Sequence, residues 1–188
     1  MSLKLKKGVN KQSAYNLRDP NLDYEAAHTL SIIVDNESGV LHRVVGLFSG
    51  RGYNIDSLTV SEIDRDEGYS KITIVTSGTA PVIAQIRAQL ERLVPVRKVS
   101  DLTRDGRSVQ RELALIKVQG TGEKRIAAME LADKLNAQVV DSTAESFVFE
   151  IVGSSDTLDR FIDEVKQLGL VDVSRTGIVA IARGAEGM

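Results

Sequence analysis

The sequence predicts an α+β chain: two βαββαβ units in series behind a polar N-terminal tail. Three observations predict it. Apolar residues switch between a two-residue and a 3.6-residue period, the switches follow the order strand, helix, strand, strand, helix, strand, and that order recurs after a polar break at Arg104-Asp105-Gly106-Arg107-Ser108. A length of 188 residues suffices for two small domains, and 42% hydrophobic with 27% charged residues is a globular balance. Aromatic residues make up only 4%, so the cores must be built chiefly from Val, Ile, Leu and Ala.

Residues 1–26 read as a flexible tail, because Asn10 to Asn16 have no apolar period and Arg18-Asp19-Pro20-Asn21 is turn chemistry. The first domain is expected over 27–103. Leu30, Ile32 and Val34 alternate with Thr29, Ser31 and Ile33, a strand with one strongly apolar face. Asp35-Asn36-Glu37-Ser38-Gly39 breaks it, and Leu41, Val44, Val45 and Phe48 then fall at helical spacing until Gly50-Arg51-Gly52 stops the helix. A second strand is expected over about Asn54–Ile63, a turn at Asp64-Arg65-Asp66-Glu67-Gly68, and a returning strand over Tyr69–Thr76. Thr79 is a candidate N-cap with Pro81 in the first turn, where its missing N–H costs nothing. Ile83, Ile86, Leu90 and Leu93 form that helix's stripe, and Pro95 to about Leu102 closes the unit. The arrangement is ferredoxin-like, with each helix crossover expected to join parallel neighbours.

Residues 104–110 read as a linker and 111–183 as a second ferredoxin-like domain. A strand at Glu112–Val118 leads through Gly120-Thr121-Gly122 into a helix whose Ala128, Leu131, Ala132 and Leu135 share a face. Gln138–Ser142 and Ser146–Val152 pair around Thr143-Ala144-Glu145. Ser154 or Ser155 caps a last helix carrying Leu158, Phe161, Ile162, Val165 and Leu168, and one closing strand fits within Val171–Ile181.

Composition excludes much chemistry. Twenty-four basic against 26 acidic residues leave a net charge of −2, no electrostatic footprint for nucleic acid or an anionic membrane. There is no cysteine, hence no disulfide, thiolate nucleophile or cysteine metal site. No apolar run approaches the roughly 20 residues that span a bilayer. Lys4, Lys6, Lys7 and Lys11 precede no apolar core, so no secretory signal is read and a cytoplasmic protein is expected. His28 and His42 read as surface residues, and no metal site and no catalytic residue is assigned. Gly120 to Arg125 fails as a phosphate loop, since Glu123 separates glycine from lysine and Arg125 replaces the required hydroxyl.

One loop stands out. Asp35-Asn36-Glu37-Ser38-Gly39-Val40-Leu41 leaves a buried strand and enters a helix N-terminus, where unpaired N–H groups and the dipole favour an anion. Asn36 offers an amide acceptor and donors, and Gly39 lets a ligand approach the backbone closely. Two readings remain open at this point: a small carboxylate site, or plain helix capping by Ser38 or Asn36.

The stretch His28 to Leu41, then Gly46-Leu47-Phe48 and Arg51-Gly52-Tyr53-Asn54-Ile55-Asp56-Ser57-Leu58-Thr59-Val60, resembles the small regulatory subunit of acetolactate synthase (acetohydroxyacid synthase). So do Gln85 to Val94, Arg111 to Val118 and Ser174-Arg175-Thr176-Gly177. The likeness spans roughly residues 28–184. It implies that the first domain is an ACT domain that pairs side by side with a second copy, forming a homodimer. A branched-chain amino acid, usually valine, would bind at that interface to Asn36, Gly39 and Asn54, with Val40, Leu41 and Ile55 as apolar contacts. It also implies a non-catalytic partner of a large catalytic subunit, raising its activity and conferring feedback inhibition in valine, leucine and isoleucine biosynthesis. Thiamine diphosphate, Mg and FAD would belong to that catalytic subunit. The second domain, lacking the ligand loop, is expected to support dimerisation or contact with the catalytic subunit. A free-standing amino-acid-binding module regulating another enzyme is the alternative.

Overall fold

The computed structural model describes residues 24–103 and 108–185. The expected tail up to residue 23 and the linker residues 104–107 lie outside the described residues. The first unit comprises β1 (Ala26–Asp35), α1 (Val40–Arg51), β2 (Ser57–Asp64), β3 (Tyr69–Gly78), α2 (Ala80–Leu90) and β4 (Val96–Asp101). Its sheet order is β2-β3-β1-β4 with every neighbouring pair antiparallel.

That pairing corrects one expectation. β1 and β2 do run parallel, since both oppose β3, but β3 lies between them, and likewise β1 separates β3 from β4. The reason is width. A helix roughly 10 Å across covers two strand spacings of about 4.8 Å, so the crossover steps over one strand. α1 also differs in phase from expectation. Because it begins at Val40, its buried stripe is Val40, Val44 and Phe48, and Leu41 turns outward. These residues, with Ile83, Ile86 and Leu90 of α2, pack on Leu30, Ile32 and Val34 of β1 and Ile72 and Ile74 of β3.

The second unit comprises β5 (Ser108–Gln119), α3 (Glu123–Lys134), β6 (Gln138–Ser142), β7 (Ser146–Gly153), α4 (Ser155–Lys166), β8 (Leu170–Arg175) and β9 (Val179–Ala182). Ser154 is the cap of α4, accepting a hydrogen bond from the Thr157 N–H. The main sheet runs β6-β7-β5-β8, again antiparallel. β5 starts at Ser108, inside the stretch read as linker, and its first four residues pair with β9. The single closing strand expected within Val171–Ile181 is therefore two strands, broken at Thr176-Gly177-Ile178. Phe147, Phe149 and Phe161 centre this core, with Phe149 edge-to-face on Phe161 at a centroid distance of 5.9 Å. Phe149→Ala is expected to cost roughly 3–5 kcal/mol in the second unit's transition, read by chemical denaturation.

β9 carries the second unit across the helix-free face of the first sheet. The Ile178 N–H donates to Ser57 Oγ (2.9 Å), Thr59 Oγ1 donates to the Ile178 carbonyl (3.1 Å), and Lys71 Nζ donates to the Ala180 carbonyl (3.0 Å). Behind the junction, Arg175 forks onto the buried Glu112 (2.8 and 2.6 Å) and also bonds Asp159. The Glu112 bond above all holds the guanidinium ionised beyond the usual arginine range. Arg175→Met should strand the Glu112 carboxylate and destabilise the unit by roughly 3 kcal/mol, read by urea denaturation.

Candidate functional site

The loop after β1 is built by backbone pairing. Arg97 grips Asp35 with two hydrogen bonds (2.7 and 2.8 Å), which raise the pKa of this exposed guanidinium. The Asn36 N–H donates to the Gly68 carbonyl at 2.7 Å, tying the loop to the β2–β3 turn. Gly39 occupies the N-cap of α1 at φ 84°, ψ 0°, a left-handed conformation natural to glycine.

No side chain caps this helix, and its first turn holds no acidic residue. Capping by Ser38 or Asn36, one of the two open readings, is thus not what the loop does. Asn36 instead donates its amide to Glu62 Oε1 on β2 (3.2 Å). The Val40 N–H finds the Glu37 carbonyl (3.2 Å), while those of Leu41 and His42 precede the first intrahelical acceptor. The positive end of the helix dipole thus has neither a side-chain cap nor an acidic residue in the helix's own first turn, and the loop's Glu37 carboxylate is engaged by Arg43 (2.8 Å).

Asn54 lies in the loop before β2, three residues ahead of the strand's start rather than within it. Its amide donates to Asp56 Oδ1 (2.6 Å) and its carbonyl accepts from Thr76 Oγ1 (2.6 Å), while Asp56 also accepts from Ser77 Oγ (2.8 Å). Asn36 and Asn54 are not brought together in one chain. Asn36 adjoins the Asp35–Tyr69 end of the sheet and Asn54 the Ser57–Val75 end. The 12-residue α1 joins the two ends, a rise of about 18 Å.

The apolar candidates divide. Val40 is buried in the first core, 7% exposed. Leu41 is 38% exposed beside Gly39, and Ile55 packs partly on the core. The sequence reading passed over Glu62 and Asp56, the carboxylates bonded to Asn36 and Asn54. Glu62 lies near the end of β2 and Asp56 just before that strand, and only the fold shows which amide each meets.

His42 is exposed, as expected. His28 is not a surface residue: its Nδ1 lies 2.9 Å from Oδ2 of the buried Asp101. Pairing with β4 creates that contact, which local sequence does not encode. Among the described residues, no group of three or more His, Asp or Glu side chains is placed to hold a metal ion, and no helix is long and apolar enough to cross a membrane.

Comparison with known proteins fits this layout. Residues 30–98 match the family model for the AHAS small subunit-like ACT domain, and residues 111–184 that for the small subunit of acetolactate synthase. The chain is 44% identical over 157 residues to a probable acetolactate synthase small subunit of Archaeoglobus fulgidus, covering 84% of this chain and 97% of that one. It is 41% identical over 156 residues to the acetolactate synthase isozyme 3 small subunit of Escherichia coli, covering 82% and 94%. The crystal structure of the acetolactate synthase small subunit from Thermotoga maritima superposes with a TM-score of 0.77 at 34% identity, covering 86% of this chain and 99% of that one. With both units matched and relatives aligned over nearly their whole length, the chain belongs to the acetolactate synthase small-subunit family.

Proposed function

We propose that this chain is a non-catalytic regulatory subunit, working in the cytoplasm, that binds a branched-chain amino acid between two paired first units. The observation that carries the reading is the placement of Asn36 and Asn54 at opposite ends of one sheet. A two-fold axis that sets two β2 edges side by side runs them antiparallel. Each Asn36–Gly39 loop then meets the other copy's Asn54, and a divided site becomes two whole ones.

The edges of the sheet support β2 as the pairing strand. β4 carries Arg97 and Lys98, whereas β2, although it ends in Glu62 and Asp64, exposes the apolar Val60 (46%) and Ile63 (51%). In such a site the uncapped N–H groups of α1 take the effector carboxylate. Asp56 and Glu62 can accept from its ammonium group, and the Asn36 and Asn54 amides order the polar end. Leu41 and Ile55 flank the side chain, whose full burial contributes roughly 1.5–3 kcal/mol. A single methylene changes such binding only modestly, so valine, leucine and isoleucine all fit, with valine the first to test. Feedback needs a coupling of about 1–3 kcal/mol between effector and assembly.

The catalytic partner is the large subunit of acetolactate synthase, which supplies the thiamine diphosphate, Mg and FAD. The second unit, whose helix α3 opens from Gly120-Thr121-Gly122 without an Asn36-type loop, supports dimerisation or contacts that partner. The test is reconstitution. The purified chain alone should condense no pyruvate, should raise the rate of the purified catalytic subunit, and should make that rate fall on adding valine. An unchanged rate on mixing would overturn the proposal.

A further inference from the structure

Where β9 crosses the helix-free face of β2 and β3, the two units enclose a cleft of about 600 Å³. Its volume lies in the range of small-molecule sites, and it is distinct from the Asn36–Gly39 loop and from Asn54, none of which lines it. The walls are largely aliphatic. Val179 and Ile181 of β9 stand 53% and 64% exposed toward it, with Val109 beside them.

Its polar content has one sign. Lys71 and Arg111 line the cleft, and no Asp or Glu does. Neither cation forms an ion pair with the described residues. Lys71 Nζ bonds only the Ala180 carbonyl (3.0 Å), and Arg111 Nη1 only the Gln110 carbonyl (2.8 Å). Burial already lowers the Lys71 pKa, so the fold holds this ammonium at a cost. A partly desolvated cation without a counter-charge is an unusual arrangement, and an anion between the two groups would compensate it.

Hydroxyls add to this: Thr59, Ser61, Thr73 and Thr176 line the cleft. Such a set of two cations, a hydroxyl floor and aliphatic walls matches a monocarboxylate with a short hydrocarbon chain. We propose that this cleft is a second ligand site for a small aliphatic carboxylate, held by Lys71 and Arg111 with its chain against Val109, Val179 and Ile181. Because the cleft spans both units, its occupant would reinforce the β9 junction.

The test uses the full chain labelled with ¹⁵N and titrated with hexanoate, alongside hexanamide as a neutral isostere. Saturable shifts are expected at the Thr73, Ala180 and Ile181 amides, with hexanamide about tenfold weaker, the worth of one charged hydrogen bond. Lys71→Met should weaken hexanoate binding by about tenfold, to the level of hexanamide, whereas Lys71→Arg, which keeps the charge, should retain it; dispersed spectra of both variants would verify their folding. The absence of saturable shifts at these amides, an equal response to hexanamide, or shifts confined to the Asn36–Gly39 loop would overturn the proposal. A response at that loop alone would speak for the amino-acid site and against the cleft.

Discussion

Gly39→Asp is expected to abolish valine inhibition of the reconstituted enzyme while leaving activation of the catalytic subunit in place. The substituent meets open space, since a Cβ at this position finds no atom within 4 Å. Steric collapse of the fold is therefore not the cause. What changes is electrostatic: a carboxylate enters the uncapped N-terminus of α1 and occupies the place of the effector's own carboxylate. The backbone at φ +84° strains any side chain, though Asn and Asp tolerate it best, at a cost of order 1 kcal/mol. Gly39→Asn separates the two effects, as it carries the same strain without the charge. It should weaken valine binding partially, and Gly39→Asp should weaken it by roughly tenfold more, read by calorimetry. Equal loss in both variants would assign the effect to the backbone, and full retention in Gly39→Asp would remove the loop from the site.

Gly177→Val is expected to part the two units without unfolding either. Gly177 sits at φ +81°, a conformation that costs a β-branched residue about 1–3 kcal/mol. A Cβ there would stand 2.7 Å from Ser57 Oγ and 3.2 Å from Thr59 Cγ2, so the substitution pushes on the two residues that bond Ile178. Losing those hydrogen bonds adds about 1 kcal/mol each. Hydrogen exchange should show the Ile178 amide and the β9 ribbon losing protection while Ile74 and Phe149 in the two cores keep theirs. Ser57 opens β2 just after Asn54 and Asp56, so this junction joins the second unit to the Asn54 end of the proposed site. Unchanged protection at Ile178 would mean the units are held by other contacts.

Periodicity made much of this molecule readable. Leu158, Phe161 and Val165 lie on one face of α4 and are all fully buried, and the hairpin around Thr143-Ala144-Glu145 pairs as its pattern indicates. The unreadable features depend on partners distant in the chain. β9 has the apolar alternation of an ordinary strand end, and only its crossing to Ser57, Thr59 and Lys71 separates it from β8. His28 has no local sign that Asp101, on another strand, will meet it. Of the proposed site, Asn36 and Gly39 stand out in the sequence because glycine and an amide at a strand-to-helix break have few roles. Val40, expected as an apolar contact, falls in the buried stripe of α1 while Leu41 faces outward, a difference of one residue in helix phase. That Asn36 and Asn54 lie apart in a single chain follows from strand order, which no local pattern encodes.

A mixed dimer measures the shared site most directly. Asn36→Ala and Asn54→Ala chains, co-expressed with different tags, give a heterodimer in which one site carries both lesions and the other carries neither. Calorimetry with valine should find binding lost in each mutant homodimer and restored in the heterodimer at half the wild-type stoichiometry, with wild-type affinity. A heterodimer as silent as its parents would contradict the account, because it would place both asparagines in a site within one chain or outside the site altogether.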